Sequence, residues 1–77
     1  MEKIEFHYDM QKWHPNDPLG GEQLTHIYMR KENSDFVILM LTVKIKGSEK
    51  RIINRYVTDR YKHMENELSN MAFKTIK

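Results

Sequence analysis

The groups that could ligate a metal or move protons in this 77-residue chain are four histidines and eleven acids, with no cysteine beside them. His7-x-Asp9, His14 with Asp17, then His26 and His63 supply the right atoms for a divalent metal. Zinc sites, however, are built from close pairs such as H-x₃₋₅-H or C-x₂-C, and none of these histidines forms one. The absence of cysteine also removes thiolate nucleophiles and disulfides. Four hydroxyls lie near element ends, at Thr25, Thr42, Ser48 and Thr58, but none sits in the G-x-S-x-G elbow that exposes a nucleophile. Leu19-Gly20-Gly21-Glu22 lacks the Lys and Ser/Thr of a phosphate-cradling loop. Catalysis needs a pocket and a shell of supporting side chains, and a chain this short has little room for either. The expectation is a protein that is not an enzyme and takes no cofactor or metal.

Charge gives a second kind of chemistry. The net charge is only +2, yet it is unevenly spread. Residues 1–35 hold four basic and seven acidic side chains, and residues 36–77 hold nine basic and four acidic ones. The excess sits between Thr42 and Lys62, where Lys44, Lys46, Lys50, Arg51, Arg55, Arg60 and Lys62 face only Glu49 and Asp59. Such asymmetry points to an electrostatic partner, or to a solvated face that balances the acidic half in space. No K/R-G-F/Y motif, GXXG loop or helix-turn-helix spacing accompanies it.

The elements that must position these groups follow from periodicity. Lys3–Tyr8 alternates polar with apolar, as a half-buried strand does. Asp9–Glu22 contains both prolines and two glycines and reads as an ordered loop in which Trp13 and Leu19 seek cover. Gln23–Arg30 and Phe36–Lys46 read as a hairpin, with Met29 facing Val37 and Ile27 facing Leu39, so that Ile27, Met29, Val37, Leu39 and Leu41 share one apolar face. Lys46-Gly47-Ser48-Glu49 is a tight-turn signal. Beyond it, Lys50–Val57 fits a fourth strand or the start of a helix, and the strand is preferred for its β-branched and aromatic content. Asp59 to about Phe73 is a helix, capped by Thr58, with Tyr61, Met64, Leu68 and Met71 at steps of three and four. The predicted fold is α+β, a single domain over 1–77: an antiparallel meander of three to four strands with one C-terminal helix packed on one face.

Two functions are compatible with that arrangement. One helix covers one face, leaving Trp13, Tyr28, Phe36, Ile38 and Met40 as candidates for an apolar contact patch, with Arg55 beside them. That predicts a non-catalytic protein-binding module, an inhibitor- or adaptor-like regulator in the style of phage or mobile-element accessory proteins, able to self-associate as a homodimer. The alternative is a nucleic-acid-binding regulator using Lys44, Lys46, Arg51, Arg55, Arg60 and Lys62 on a basic, aromatic-flanked sheet face and the start of the C-terminal helix. The longest apolar run, Phe36–Leu41, is far too short to span a bilayer, and Met1–Glu5 lacks a signal-peptide pattern, so a soluble, cytoplasmic protein without a membrane partner is expected.

Overall fold

Alternation in the middle of the chain decides the architecture. Thr25, Ile27 and Met29 on one strand, and Leu39, Leu41 and Val43 on the next, are all buried on a single face. The computed structural model describes residues 5–14 and 21–76. Its order is β1 (Phe6–Trp13), β2 (Glu22–Lys31), β3 (Val37–Lys46), β4 (Glu49–Val57), a 3₁₀ helix (Asp59–Met64) and α1 (Glu65–Phe73). The strands form one antiparallel sheet in the order β1-β2-β3-β4. The chain is thus α+β, with a four-stranded meander and a C-terminal helix.

The β2–β3 hairpin keeps the expected faces from Leu39 onward but not the expected register, and Val37, expected on the apolar face, pairs with Arg30 and so falls on the opposite side. Met29 faces Leu39 and Ile27 faces Leu41, two residues further along β3 than local pairing suggests. A shift of two preserves which side chains point inward. It is absorbed by a longer turn, in which Ser34 N–H bonds the Lys31 carbonyl at 3.1 Å and Asn33 takes φ +67°, a conformation Asn tolerates. A bulge adds to it: Arg30 pairs with Val37 and Met29 with Leu39, leaving Ile38 unpaired. Ile38 is only 1% exposed and belongs to the core, so it cannot serve the outer patch to which simple alternation assigns it.

The edge strands differ more from expectation. Asp9–Trp13 are not loop but the second half of β1, paired with Tyr28–Leu24 of β2. An edge strand buries little, so its alternation is faint in sequence. Leu19, both prolines and Gly20, expected in an ordered loop, lie outside the described residues, as do Lys3 and Ile4. Strand β4 is present, and Gly47 and Ser48 turn between the paired Lys46 and Glu49, with Gly47 at φ +61°. A second bulge sits at Ile53: Val43 faces Ile52, but Thr42 already faces Asn54.

The C-terminal segment packs on the face formed by the inward-pointing residues. Leu68 and Ala72 of α1 join Ile27, Met29, Ile38, Leu39, Leu41, Val43 and Val57 in the core, with Tyr61 and Met64 packed against it. The first six residues are 3₁₀ rather than α, and that period of three places Tyr61 and Met64 on one side. In α1 the inward stripe runs Leu68–Ala72, and Met71 is exposed. Thr58 sits at the start of the segment without capping it through its side chain. Its backbone does the work instead, with N–H donating to the Ile38 carbonyl at 3.1 Å and carbonyl accepting from Tyr61 N–H at 2.9 Å.

Candidate functional site: the open face of the sheet

Side chains on the face away from α1 are fixed by parity, and cross-strand pairing arranges them in rows. Asp9, Tyr28, Met40 and Tyr56 form one row across all four strands. The next row is Gln11, His26, Thr42 and Asn54, and the next begins Trp13, Leu24, Lys44, Arg51. Glu22, Lys46 and Glu49 complete the face at the end of the β3–β4 hairpin.

The rows differ in chemistry. Tyr28–Met40–Tyr56 is an aromatic–thioether–aromatic strip, in which Met40 and Tyr56 are 40% and 55% exposed. Trp13, at 56%, lies further along the same face. The strip and Trp13 are separated by a hydrogen-bonding row in which His26 Nδ1 and Thr42 Oγ1 stand 3.0 Å apart. Beyond it Lys44 and Arg51 face each other as like charges. Glu22 offsets that repulsion by pairing with Lys44 at 3.2 Å, and Glu49 lies 3.9 Å from Arg51. These four with Lys46 line a shallow depression. At the other end Asp9 pairs with Arg30 at 3.4 Å and with His7 at 3.1 Å. The face therefore sets Arg30, Lys44, Lys46 and Arg51 against Asp9, Glu22 and Glu49, a near balance.

The residues singled out from sequence do not all meet there. Trp13, Tyr28, Met40, Lys44, Lys46 and Arg51 share the open face. Arg55 does not: the bulge at Ile53 turns it to the helix side, opposite Leu41, where its guanidinium donates to the Glu65 carboxylate and to Ser69 Oγ. Phe36 is 61% exposed but precedes β3, beside Lys31, Arg60 and Tyr61 at the β2–β3 turn. Arg60 and Lys62 belong to the 3₁₀ helix, and Lys62 lies 4.0 Å from Asp59. Val57 lies six positions along β4 from Arg51, roughly 20 Å at strand rise, so the basic residues do not form one stripe. Tyr56 was missed because unbroken pairing from the Gly47 turn places it opposite Leu39, on the covered face. The same bulge that removes Arg55 delivers Tyr56. Glu22 and Glu49 flank the strands and become visible as partners of the basic pair once the register is drawn.

Among the described residues no three His, Asp or Glu side chains converge on a common point, and no helix is long and apolar enough to cross a membrane. Among the described residues, two groups titrate away from their ordinary values. Hydrogen bonding with the Glu32 side chain, and then the charge of that carboxylate, hold the Glu5 carboxyl above its usual 4.5. Burial pushes the Tyr8 phenol above 10.0, so it stays neutral at physiological pH. Tyr8 lies on the helix side of the sheet, packed against the core. Comparison with family models, curated proteins and solved structures finds no match to this chain.

Proposed function

We propose that the protein is a non-catalytic protein-binding module that acts by occupying a partner's surface with the open face of its sheet. The observation that carries this is the strip Tyr28–Met40–Tyr56, exposed at Met40 and Tyr56 and half-buried at Tyr28, with exposed Trp13 beyond it, on a face whose charges nearly cancel. Aromatic side chains and Met are enriched where proteins meet, because they bury large area at low conformational cost. Size is compatible: strands of eight to ten residues are roughly 26–33 Å long and four of them roughly 19 Å wide, giving roughly 500–600 Å², somewhat under the ~800 Å² that each partner buries in a standard complex.

Nucleic-acid binding is the second reading, favoured by Lys44 facing Arg51 with Lys46 adjacent. It ranks lower because Glu22 and Glu49 sit within the same cluster and would repel phosphate. Salt separates the two. A complex made by the aromatic strip should persist at high ionic strength, be lost in Met40→Ala with Tyr56→Ala, and survive Lys44→Glu with Arg51→Glu. Binding of mixed short nucleic acids that falls steeply with salt and disappears in the charge-reversed variant would instead establish the second reading.

A further inference from the structure

The two edges of the sheet are not equally protected. Strand β4 is interrupted by the bulge at Ile53 and carries Lys50, Arg51 and Arg55 against Glu49, so pairing it with its own copy sets like charges together. Strand β1 has no bulge, no proline and one charge of each sign, Asp9 and Lys12. It pairs regularly with β2 over its full length and stands at the end of the sheet, with no described strand paired to its outer side. The phase of its free backbone groups follows from one bond. Glu32 N–H donates to the Glu5 carbonyl at 2.9 Å, so Glu5 and, by alternation, His7, Asp9, Gln11 and Trp13 direct their amide groups to β2. The N–H and C=O of Phe6, Tyr8, Met10 and Lys12 point outward.

We propose that β1 pairs antiparallel with β1 of a second copy, Met10 facing Met10 at the two-fold axis, to give one continuous eight-stranded sheet. Symmetric pairing must match residues of the same face, which leaves registers centred on Tyr8, Asp9, Met10 or Gln11. Those centred on Tyr8 or Gln11 overlap only five strand residues, against seven for the other two. Centring on Asp9 brings two carboxylates together in a close, non-hydrogen-bonded pair, which is unfavourable. Centring on Met10 sets Asp9 opposite Gln11, His7 opposite Trp13 and Tyr8 opposite Lys12, with no like charges. Met10 then meets its copy on the helix side of the sheet, where it is 38% exposed. Tyr8, Met10 and Lys12 each exchange both backbone bonds with the partner strand. The axis runs perpendicular to the sheet, so the two open faces lie side by side. The seam is held by the backbone of the edge strand and borders the open face along His7, Asp9, Gln11 and Trp13, but it does not depend on what that face binds.

Met10→Lys and Met10→Glu test the axis directly. Each places two like charges at the centre, and each should run at monomer mass on a sizing column with light scattering, where the unaltered protein runs at twice that mass. An equimolar mixture of the two variants should return to the doubled mass, since Lys then faces Glu. Hydrogen exchange on the unaltered protein needs no variant. The amides of Tyr8, Met10 and Lys12 should be protected at high concentration and exchange freely on dilution, while those of His7, Asp9 and Gln11 stay protected throughout. A monomer at every concentration would overturn the proposal. So would a dimer that survives both charged variants, or variants that stay monomeric when mixed. Tyr56→Ala should leave the dimer intact; its loss in that variant would move the interface to the open face.

Discussion

Thr58 illustrates how a residue's position and its side chain can serve different ends. Its backbone starts the C-terminal segment, yet its buried Oγ1 has no hydrogen-bond partner among the described residues. A hydroxyl in that state costs desolvation without return, whereas a capping Thr is worth about 1 kcal/mol. Thr58→Val, of nearly the same shape, should therefore leave urea stability unchanged or raise it, and a loss near 1 kcal/mol would mean that the hydroxyl caps after all. Glu5 makes a second case. Its raised value means that the folded state holds the proton more tightly than the unfolded chain does. The associated stability is present below pH 4.5 and is lost as pH rises through the raised value, when two carboxylates face each other. Glu32→Gln retains hydrogen bonding and removes one charge. It should raise the urea midpoint at pH 7 and lose that advantage by pH 4; an equal effect at both values would show that repulsion is not the cause.

At the scale of elements, sequence legibility followed burial. The central hairpin and the C-terminal helix were readable because their inward positions are strongly apolar, and a register error of two residues left the faces correct from Leu39 onward, though not at Val37 and Ile38. What escaped were the two bulges and the second half of β1. A bulge is a difference of one residue between strands, and the residues at Ile38 and Ile53 look like ordinary strand residues. Each nevertheless reversed the side on which neighbours lie, burying Ile38, moving Arg55 to the helix and exposing Tyr56. The candidate site was accordingly half legible: Trp13, Tyr28 and Met40 from pattern, Tyr56 only from the structure. The altered place of Arg55 has a measurable consequence. It ties β4 to α1 through Glu65 and the buried Ser69. Because that pair is partly solvated, Arg55→Ala should cost only about 1 kcal/mol in stability and leave any open-face complex intact. Loss of binding with unchanged stability would return Arg55 to the contact surface.

For the whole molecule, the decisive property is that the core is one-sided. A nine-residue helix is roughly 13.5 Å long against strands of roughly 33 Å, so α1 alone covers only part of that face, and Tyr61, Met64 and Ile76 outside it extend the cover. Folding therefore depends on Leu68 and Ala72 meeting Ile27, Leu39, Leu41 and Val43, while the large side chains on the other face contribute little. Leu68→Ala should cost ~2–5 kcal/mol, as truncation of a fully buried leucine does. Trp13→Ala removes a larger side chain, yet one more than half exposed, and should cost under ~1 kcal/mol. The comparison separates two roles for the open face. If urea unfolding ranks Trp13→Ala with Leu68→Ala, Trp13 stabilises the fold and the open face loses one of its anchors. If Trp13→Ala, Met40→Ala and Tyr56→Ala all leave stability near that of the unaltered protein, the aromatic strip is held out of the core at no cost to folding. In an edge-paired dimer that strip would occur twice in one plane, on roughly 1,000–1,200 Å² of continuous surface. A bivalent partner would then lose far more affinity to Met10→Lys, which separates the two strips, than a monovalent one would.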